Sequence, residues 1–211
     1  MNIFIASSNQ GKIREINSIL KDDSFSLISV LDTEKLKELG INIPEGFDVI
    51  EDGKTFQDNA LLKAQAYAKL TNLPTIADDS GLEVEALGGF PSVNSNRWFE
   101  GTTHERNLAL LEKLKNHSNR RARFYSVICF FDPQNDVVKF FEGEIKGKIA
   151  LEPKGSKIEG FGYDPIFIPD GFAKSFSQLG VEFKNTISHR RQALTKLGQF
   201  VLQDKHLARP E

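Results

Sequence analysis

Apolar positions along this chain change period several times, and each change marks an element. Ile3, Phe4, Ile5 and Ala6 form a short strand-like run at the start. The polar stretch Ser7-Ser8-Asn9-Gln10-Gly11-Lys12 follows, and then Ile13, Ile16, Ile19 and Leu20 recur at helical spacing. A strand, a polar loop and a helix are therefore predicted in that order. Asp22–Asp52 is irregular, with Gly40, Pro44 and Gly46 among mixed charges; it predicts a strand around Phe25–Val30 and a short helix around Thr33–Leu39. A second long helix is predicted from about Phe56 to Leu70, with Thr55 as its N-cap and Ala60, Leu61, Ala64 and Ala68 as its buried stripe. Pro74 stops it. The next strand, Thr75-Ile76-Ala77, is expected to end in a loop, Asp78-Asp79-Ser80-Gly81. A third helix is expected over Thr103–Lys115, with Leu108, Leu111 and Leu114 inward. Strands at Arg123–Phe131 and Val137–Ile145 flank the turn residues Asp132–Asp136, which predicts a hairpin, and a further strand near Gly147–Leu151 is expected in the same sheet. The last helix spans about Ser188–Gln203, with Ala193, Leu194, Leu197 and Val201 on one face. Helices interleaved with strands, plus one antiparallel hairpin, predict an α/β fold around a mixed sheet.

Composition narrows the class. A length of 211 residues suits one domain, or one domain of two lobes, with a core large enough to need no staples. We find no repeat and no long linker. The net charge of -2 argues against a generic polyanion binder. The short cluster Arg120-Arg121-Ala122-Arg123 is the one feature that suggests RNA, and a solvated strand edge accounts for it more simply. A single cysteine, Cys129, excludes an internal disulfide and a cysteine-rich metal site; its apolar surroundings mark it as strand filler. Met1–Ala6 lacks the basic flank of a signal peptide, and no apolar run reaches the length of a membrane span, so a cytoplasmic protein without a membrane partner is expected.

Five segments have the composition of a chemical site. Ser7–Lys12 lies between a strand and a helix start, where unpaired N–H groups and the helix dipole favour an anion. It is not a Walker A loop, because Ala6 and Ile13 stand where that motif needs Gly and Ser or Thr. Asp78 and Asp79 are adjacent carboxylates, each raising the other's pKa unless a cation neutralises them; a magnesium ion suits such hard oxygen donors. Glu51 or Asp52, just before the second helix, could complete a metal site. Phe161-Gly162-Tyr163-Asp164 offers aromatic faces for a base and a carboxylate beside them. Lys184, Ser188, His189, Arg190 and Arg191 cluster where the last helix opens, a place that disfavours cations unless an anion or a carbonyl is bound there. Each segment by itself is equally readable as an ordinary turn or cap.

Taken in order, the segments resemble the inosine triphosphate pyrophosphatase family over nearly the whole chain. The resemblance is carried by Ser7-Ser8-Asn9-Gln10-Gly11-Lys12, by Glu51-x-Gly53-x-Thr55-Phe56-x-x-Asn59-Ala60-x-x-Lys63-Ala64, and by Asp78-Asp79-Ser80-Gly81-Leu82-Glu83-Val84 running on to Pro91, Ser95 and Arg97. Gly160–Phe167 and Ser188-His189-Arg190 complete it. The resemblance implies hydrolysis of inosine, deoxyinosine and xanthosine triphosphates to the monophosphate and pyrophosphate. It implies an elongated mixed sheet, two lobes with a central nucleotide cleft, and a homodimer. Ser7, Ser8, Asn9, Gln10, Gly11 and Lys12 would hold the triphosphate. Glu51 and Asp79 would bind magnesium, and Asp79, or a neighbouring acid, would be the general base. Ser80, Phe161, Gly162, Tyr163, Asp164, Lys184, His189 and Arg190 would contact substrate, with an aromatic ring of Phe161–Asp164 stacked on the base. The chain departs from the family at Asn94-Ser95-Asn96-Arg97-Trp98, where Tyr-Ser-Ala-Arg-Tyr is frequent, and at Phe90, where a small residue is common. These changes bear on substrate preference. The rival readings are a related pyrophosphatase for modified pyrimidine triphosphates and a nucleotide-binding module without catalysis.

Overall fold

Short-range sequence signals account for most of the elements. The computed structural model describes residues 1–155 and 162–203. Its strands are β1 (Asn2–Ile5), β2 (Ser26–Ser29), β3 (Thr75–Val84), β4 (Arg121–Asp132), β5 (Val137–Ile149) and β6 (Phe167–Pro169). Its helices are α1 (Gln10–Ile19), α2 (Thr33–Glu38), α3 (Phe56–Thr71), α4 (Thr103–Lys113), α5 (Phe176–Leu179), α6 (Val181–Ile187) and α7 (His189–Gln203). The strands form one sheet in the order β2-β1-β3-β4-β5-β6. β1 is parallel to β2 and β3, while β6 is antiparallel to β5, so the sheet is mixed, as the sequence predicts.

The chain divides into two compact units. The first comprises Met1–Asp79, Val127–Glu142 and the chain from Gln192; the second comprises Ser80–Ser126 and Gly143–Arg191. The boundary therefore falls inside three strands, between Asp79 and Ser80 in β3, after Ser126 in β4 and after Glu142 in β5.

In the first unit, Ile3, Ile5 and Ile76 pack with Ile13 and Ile16 of α1, Ile128 and Phe130 of β4, and Ala193, Leu194, Leu197 and Val201 of α7. Burying each large side chain of this kind contributes about 1.5–3 kcal/mol. α3 starts as expected: the Thr55 side chain accepts from the Asp58 N–H, and the Asp58 carboxylate accepts from the Thr55 N–H. It ends at Asn72, which takes a left-handed conformation (φ 53°) just before Pro74. Its buried face differs from the expected stripe in detail, because Leu61 is half-buried and Tyr67, stacked on Phe4 at 5.4 Å, fills the core instead. Cys129 is fully buried, and burial pushes its thiol up to about 12.

In the second unit, Leu82, Val84, Leu110, Leu114, Phe124, Ile149, Tyr163, Phe167 and Phe176 form the core. Four expectations are corrected. β3 does not end at Ala77 but runs on to Val84, so Asp78–Gly81 is strand and not loop. The separate strand expected at Gly147–Leu151 is the end of β5. β6 was not expected; it pairs Gly147 with Pro169 so closely that a Cβ on Gly147 would lie 2.3 Å from the Ile168 carbonyl oxygen. On α4, Leu108 is 44% exposed, whereas Leu111 is half-buried against the core, and Asn107, Leu110 and the following Leu114 are buried. The helix is turned because a polar residue, Asn107, sits on its buried stripe, where its amide donates to the Gly162 carbonyl at 3.2 Å.

Candidate active site

The first unit gathers three carboxylates and two lysines. α1 opens with the Asn9 side chain accepting from the Lys12 N–H at 3.1 Å, and the Asn9 N–H donates to Ser7 Oγ at 3.2 Å. Helix geometry leaves the N–H groups of Gln10 and Gly11 without intrahelical acceptors, so the loop is shaped for an anion. Lys12 Nζ lies 2.8 Å from the Asp78 carboxylate. Lys63, one turn after Asn59 on α3, touches Glu51 at 2.5 Å, Asp79 at 3.8 Å and the Asp78 carbonyl at 2.8 Å. Asn59 is fully buried and donates to Asp79 at 3.0 Å, while its own carbonyl accepts from the Gly53 N–H at 2.9 Å.

These contacts explain how two adjacent acids survive inside a strand. Successive side chains of a strand point to opposite faces. Asp78 turns to Lys12, whereas Asp79 turns to Asn59 and Lys63. Burial raises the Asp79 pKa; Lys63 and Lys12 oppose the rise, Glu51 adds to it, and the Asn59 hydrogen bond opposes it. The net effect is a carboxylate with more affinity for a proton than an ordinary aspartate has, as a general base near neutrality requires. Of the two acids before α3, Glu51 is the one turned inward, and Asp52 is exposed. Among the described residues no three His, Cys, Asp or Glu side chains cluster in a manner that could hold a metal. Glu51 and Asp79, both in contact with one lysine ammonium, do present hard oxygens to a common cation. Such a pair fits an ion that keeps waters and shares phosphate oxygens, as magnesium does.

Gly53 is fixed in the same network by close approach. A Cβ there would come within 2.5 Å of Asp58 Cβ and 2.7 Å of Asn59 Oδ1. Gly53→Ala is therefore expected to displace Asn59 from Asp79 and to reduce turnover by about tenfold or more, roughly the 1.4 kcal/mol that one misplaced charge-assisted hydrogen bond represents. Steady-state kinetics on the variant check this; unchanged kcat would mean that Asn59 does not orient Asp79.

The second unit holds the remaining candidates. Ser80, next to Asp79, accepts from Arg190 Nη2 at 2.8 Å. Lys184 Nζ donates to both oxygens of Asp164 at 2.9 and 2.7 Å, and both residues are buried. The same ammonium lies 5.9 Å from the Phe124 ring centre and 5.6 Å from that of Phe176. His189 is stacked on Phe124 at 5.0 Å, nearly parallel. The basic cluster expected at one helix start is thus split. Lys184 is in α6, with its cation neutralised by Asp164, and His189, Arg190 and Arg191 open α7, where Ser188 Oγ accepts from the Arg191 N–H.

Tyr163, expected to contact substrate, lies in the core of the second unit. It is 2% exposed, with its hydroxyl donating to the Ser95 carbonyl at 2.6 Å and accepting from Trp98 Nε1 at 2.7 Å. Phe161 lies outside the described residues. Gly162 adopts a left-handed φ of 62°, and no described residue outside its own neighbours occupies the space where a side chain would be. Asn59, Lys63 and Phe124 were not among the residues expected at the site. Asn59 carried a readable signal, since it is a polar residue spaced by helical turns among Phe56, Ala60 and Ala64. Phe124 carried none, being one of 17 phenylalanines.

The arginines that suggested RNA are matched internally. Arg120 donates to the carbonyls of Ile149 and Ala150, Arg121 faces Asp170 at 3.3 Å, and Arg123 bridges Glu83 and Glu144 at 2.7 Å each. No helix among the described residues is long and apolar enough to cross a membrane.

An α/β fold that sets an anion-ready helix start beside a buried aspartate of raised pKa has features suited to phosphorylated substrates. Comparison with known proteins narrows this: the chain belongs to the Ham1 family, whose sequence model matches residues 3–200. It is 44% identical over 207 residues to a dITP/XTP pyrophosphatase of Staphylococcus aureus, covering 97% of this chain and 98% of that one. It is 44% identical over 197 residues to the dITP/XTP pyrophosphatase of Deinococcus deserti, covering 92% and 86%. Among solved structures, the Ham1 protein of Staphylococcus aureus is similar with a TM-score of 0.81 at 40% identity, covering 97% of this chain and 100% of that one. A HAM1 protein from Coxiella burnetii is similar with a TM-score of 0.83 at 36% identity, covering 96% and 99%. The resemblance read from the motifs thus leads to the right family.

Proposed function

We propose that the protein hydrolyses non-standard purine nucleoside triphosphates, those of inosine, deoxyinosine and xanthosine, to the monophosphate and pyrophosphate. The observation that carries this reading is Asp79, a buried aspartate with a raised pKa, set against two lysines, in a chain closely similar to dITP/XTP pyrophosphatases. Nothing in the site favours a pyrimidine substrate.

In this reading a water molecule attacks the α-phosphorus and gives its proton to Asp79. The bond from that phosphorus to the bridging oxygen breaks, and pyrophosphate leaves whole. Phosphoryl transfer calls for positioning and charge neutralisation more than for covalent chemistry. Ser7, Ser8, Asn9, Gln10, Gly11 and Lys12 hold the triphosphate through N–H groups and the Lys12 ammonium. Lys63 steadies Asp79 and Glu51. Glu51 and Asp79 would hold magnesium, which would supply further charge neutralisation. Lys184, His189 and Arg190 read the base, with Ser80 and Asp164 holding Arg190 and Lys184 in place. Inosine and xanthosine carry a carbonyl at C6, which accepts from these donors; the amine of adenosine would face donor with donor. We take the working unit to be a cytoplasmic homodimer without a nucleic-acid partner, and light scattering on the purified chain tests the dimer.

The experiment is pyrophosphate release from a panel of purine and pyrimidine triphosphates, with magnesium and with a chelator. Metal-dependent release from inosine and xanthosine triphosphates, with adenosine triphosphate slower by about 10² or more, is expected. Orthophosphate as the product, or a preference for pyrimidines, would overturn the reading.

A further inference from the structure

The departure at Asn94–Trp98 has a structural use. Tyr163 precedes Asp164, and its hydroxyl is gripped from two sides, by the Trp98 indole N–H at 2.7 Å and the Ser95 carbonyl at 2.6 Å. Ser95 is itself anchored: its Oγ accepts from the Leu82 N–H of β3 at 2.9 Å and donates to the Ser92 carbonyl at 2.6 Å. Trp98 is wedged edge-on against Phe90 with ring centres 5.0 Å apart. On the other side of Tyr163, the Gly162 carbonyl is held by Asn107. Burial raises the Tyr163 pKa, so the hydroxyl keeps the proton that it donates to Ser95.

A hydroxyl with one fixed donor and one fixed acceptor has a single orientation. The Tyr163 side chain cannot swing without breaking both bonds, and the next residue, Asp164, holds Lys184 through both carboxylate oxygens. Telling a carbonyl from an amine requires the donor to be placed to within about 0.5 Å. We propose that Trp98 and Ser95 are positioning residues for base selection, fixing the Lys184–Asp164 pair through the Tyr163 hydroxyl. The inference rests on the reading of Lys184 as a base-reading group given above. A merely structural role for the same residues would alter folding stability and leave selectivity alone.

The test compares the natural protein with Trp98→Phe and Tyr163→Phe, measuring kcat and KM for inosine and adenosine triphosphates together with thermal midpoints. Removing one or both bonds is expected to raise KM for inosine triphosphate by about three- to tenfold, with kcat nearly unchanged. Adenosine triphosphate should respond little, so the preference falls by the same factor. An unchanged preference in both variants, even with lowered midpoints, would overturn the proposal and leave the substrate reading intact. A natural protein without preference for inosine triphosphate would instead sink the substrate reading, and this inference with it. Tyr163→Phe removes a single oxygen atom, so it remains informative should Trp98→Phe fold poorly. Trp98 is the only tryptophan of the chain. Its fluorescence emission should therefore shift in Tyr163→Phe, and an unshifted spectrum would count against the bond itself.

Discussion

Replacing Asp79 with Asn is expected to lower kcat by about 10²–10⁴, the range that a positioned general base contributes, while leaving the nucleotide-free protein at least as stable as before. Both halves follow from one cause. Burial raises the Asp79 pKa, and the nearby lysines do not fully offset it. For a carboxylate raised in the native state, the folded protein keeps a proton that the unfolded chain has already released, over the window above the ordinary aspartate range and below the raised value. Stability falls as pH rises through that window and stays lower above it. Asparagine carries no charge and therefore no such cost. It also keeps an oxygen to accept from Asn59. Urea denaturation of both proteins in chelator should place Asp79→Asn at or above the natural protein at neutral pH, with the gap closing on acidification below the ordinary carboxylate range. Turnover within about tenfold of the natural rate would move the base to another acid. Asp78→Asn is the control, because the Asp78 carboxylate is fully buried against Lys12.

Lys184→Met is expected to be the most destabilising of the site substitutions, by about 3–5 kcal/mol, because it leaves the Asp164 carboxylate buried without its ammonium. The Lys184 and Asp164 side chains are 8% and 3% exposed, so solvent cannot take the place of the lost partner. Pairing Lys184→Met with Asp164→Asn should recover much of the loss, since it removes the buried charge together with its partner. Chemical denaturation of the single and double variants measures both effects. A loss below about 1 kcal/mol in the single variant would mean that the pair behaves as an exposed one. Selectivity should stay impaired in the double variant even where stability returns, which separates the base-reading role from the structural one.

Much of this architecture was legible before the structure. The Thr55 cap of α3, the strand–loop–helix start and the apolar face of α7 all follow from residues close in sequence, and the sequence predicts all three. The acid pair is chemically unusual in the sequence, but local pattern ends its strand at Ala77, seven residues short of Val84. Local propensity disfavours aspartate in a strand, and what overrides it lies far along the chain: Lys12 is 66 residues from Asp78, and Asn59 is 20 from Asp79. Hydrophobic pattern alone puts Leu108 in the core, because leucine outranks asparagine in it, yet Asn107 is buried because Gly162, 55 residues on, offers it a carbonyl.

The sequence by itself thus determined the fold class, the family and the segments that carry polar chemistry, because those are properties of local pattern and of motifs in order. The tertiary structure decided which members of each segment act together. Tyr163 became a core hydroxyl clamped by Trp98, Lys184 became the partner of Asp164, and Arg190 came to Ser80 across 110 residues. A side chain's partner is chosen by burial, since a polar group removed from water must find a complement wherever the fold brings one, and that choice is written in no single stretch of the chain.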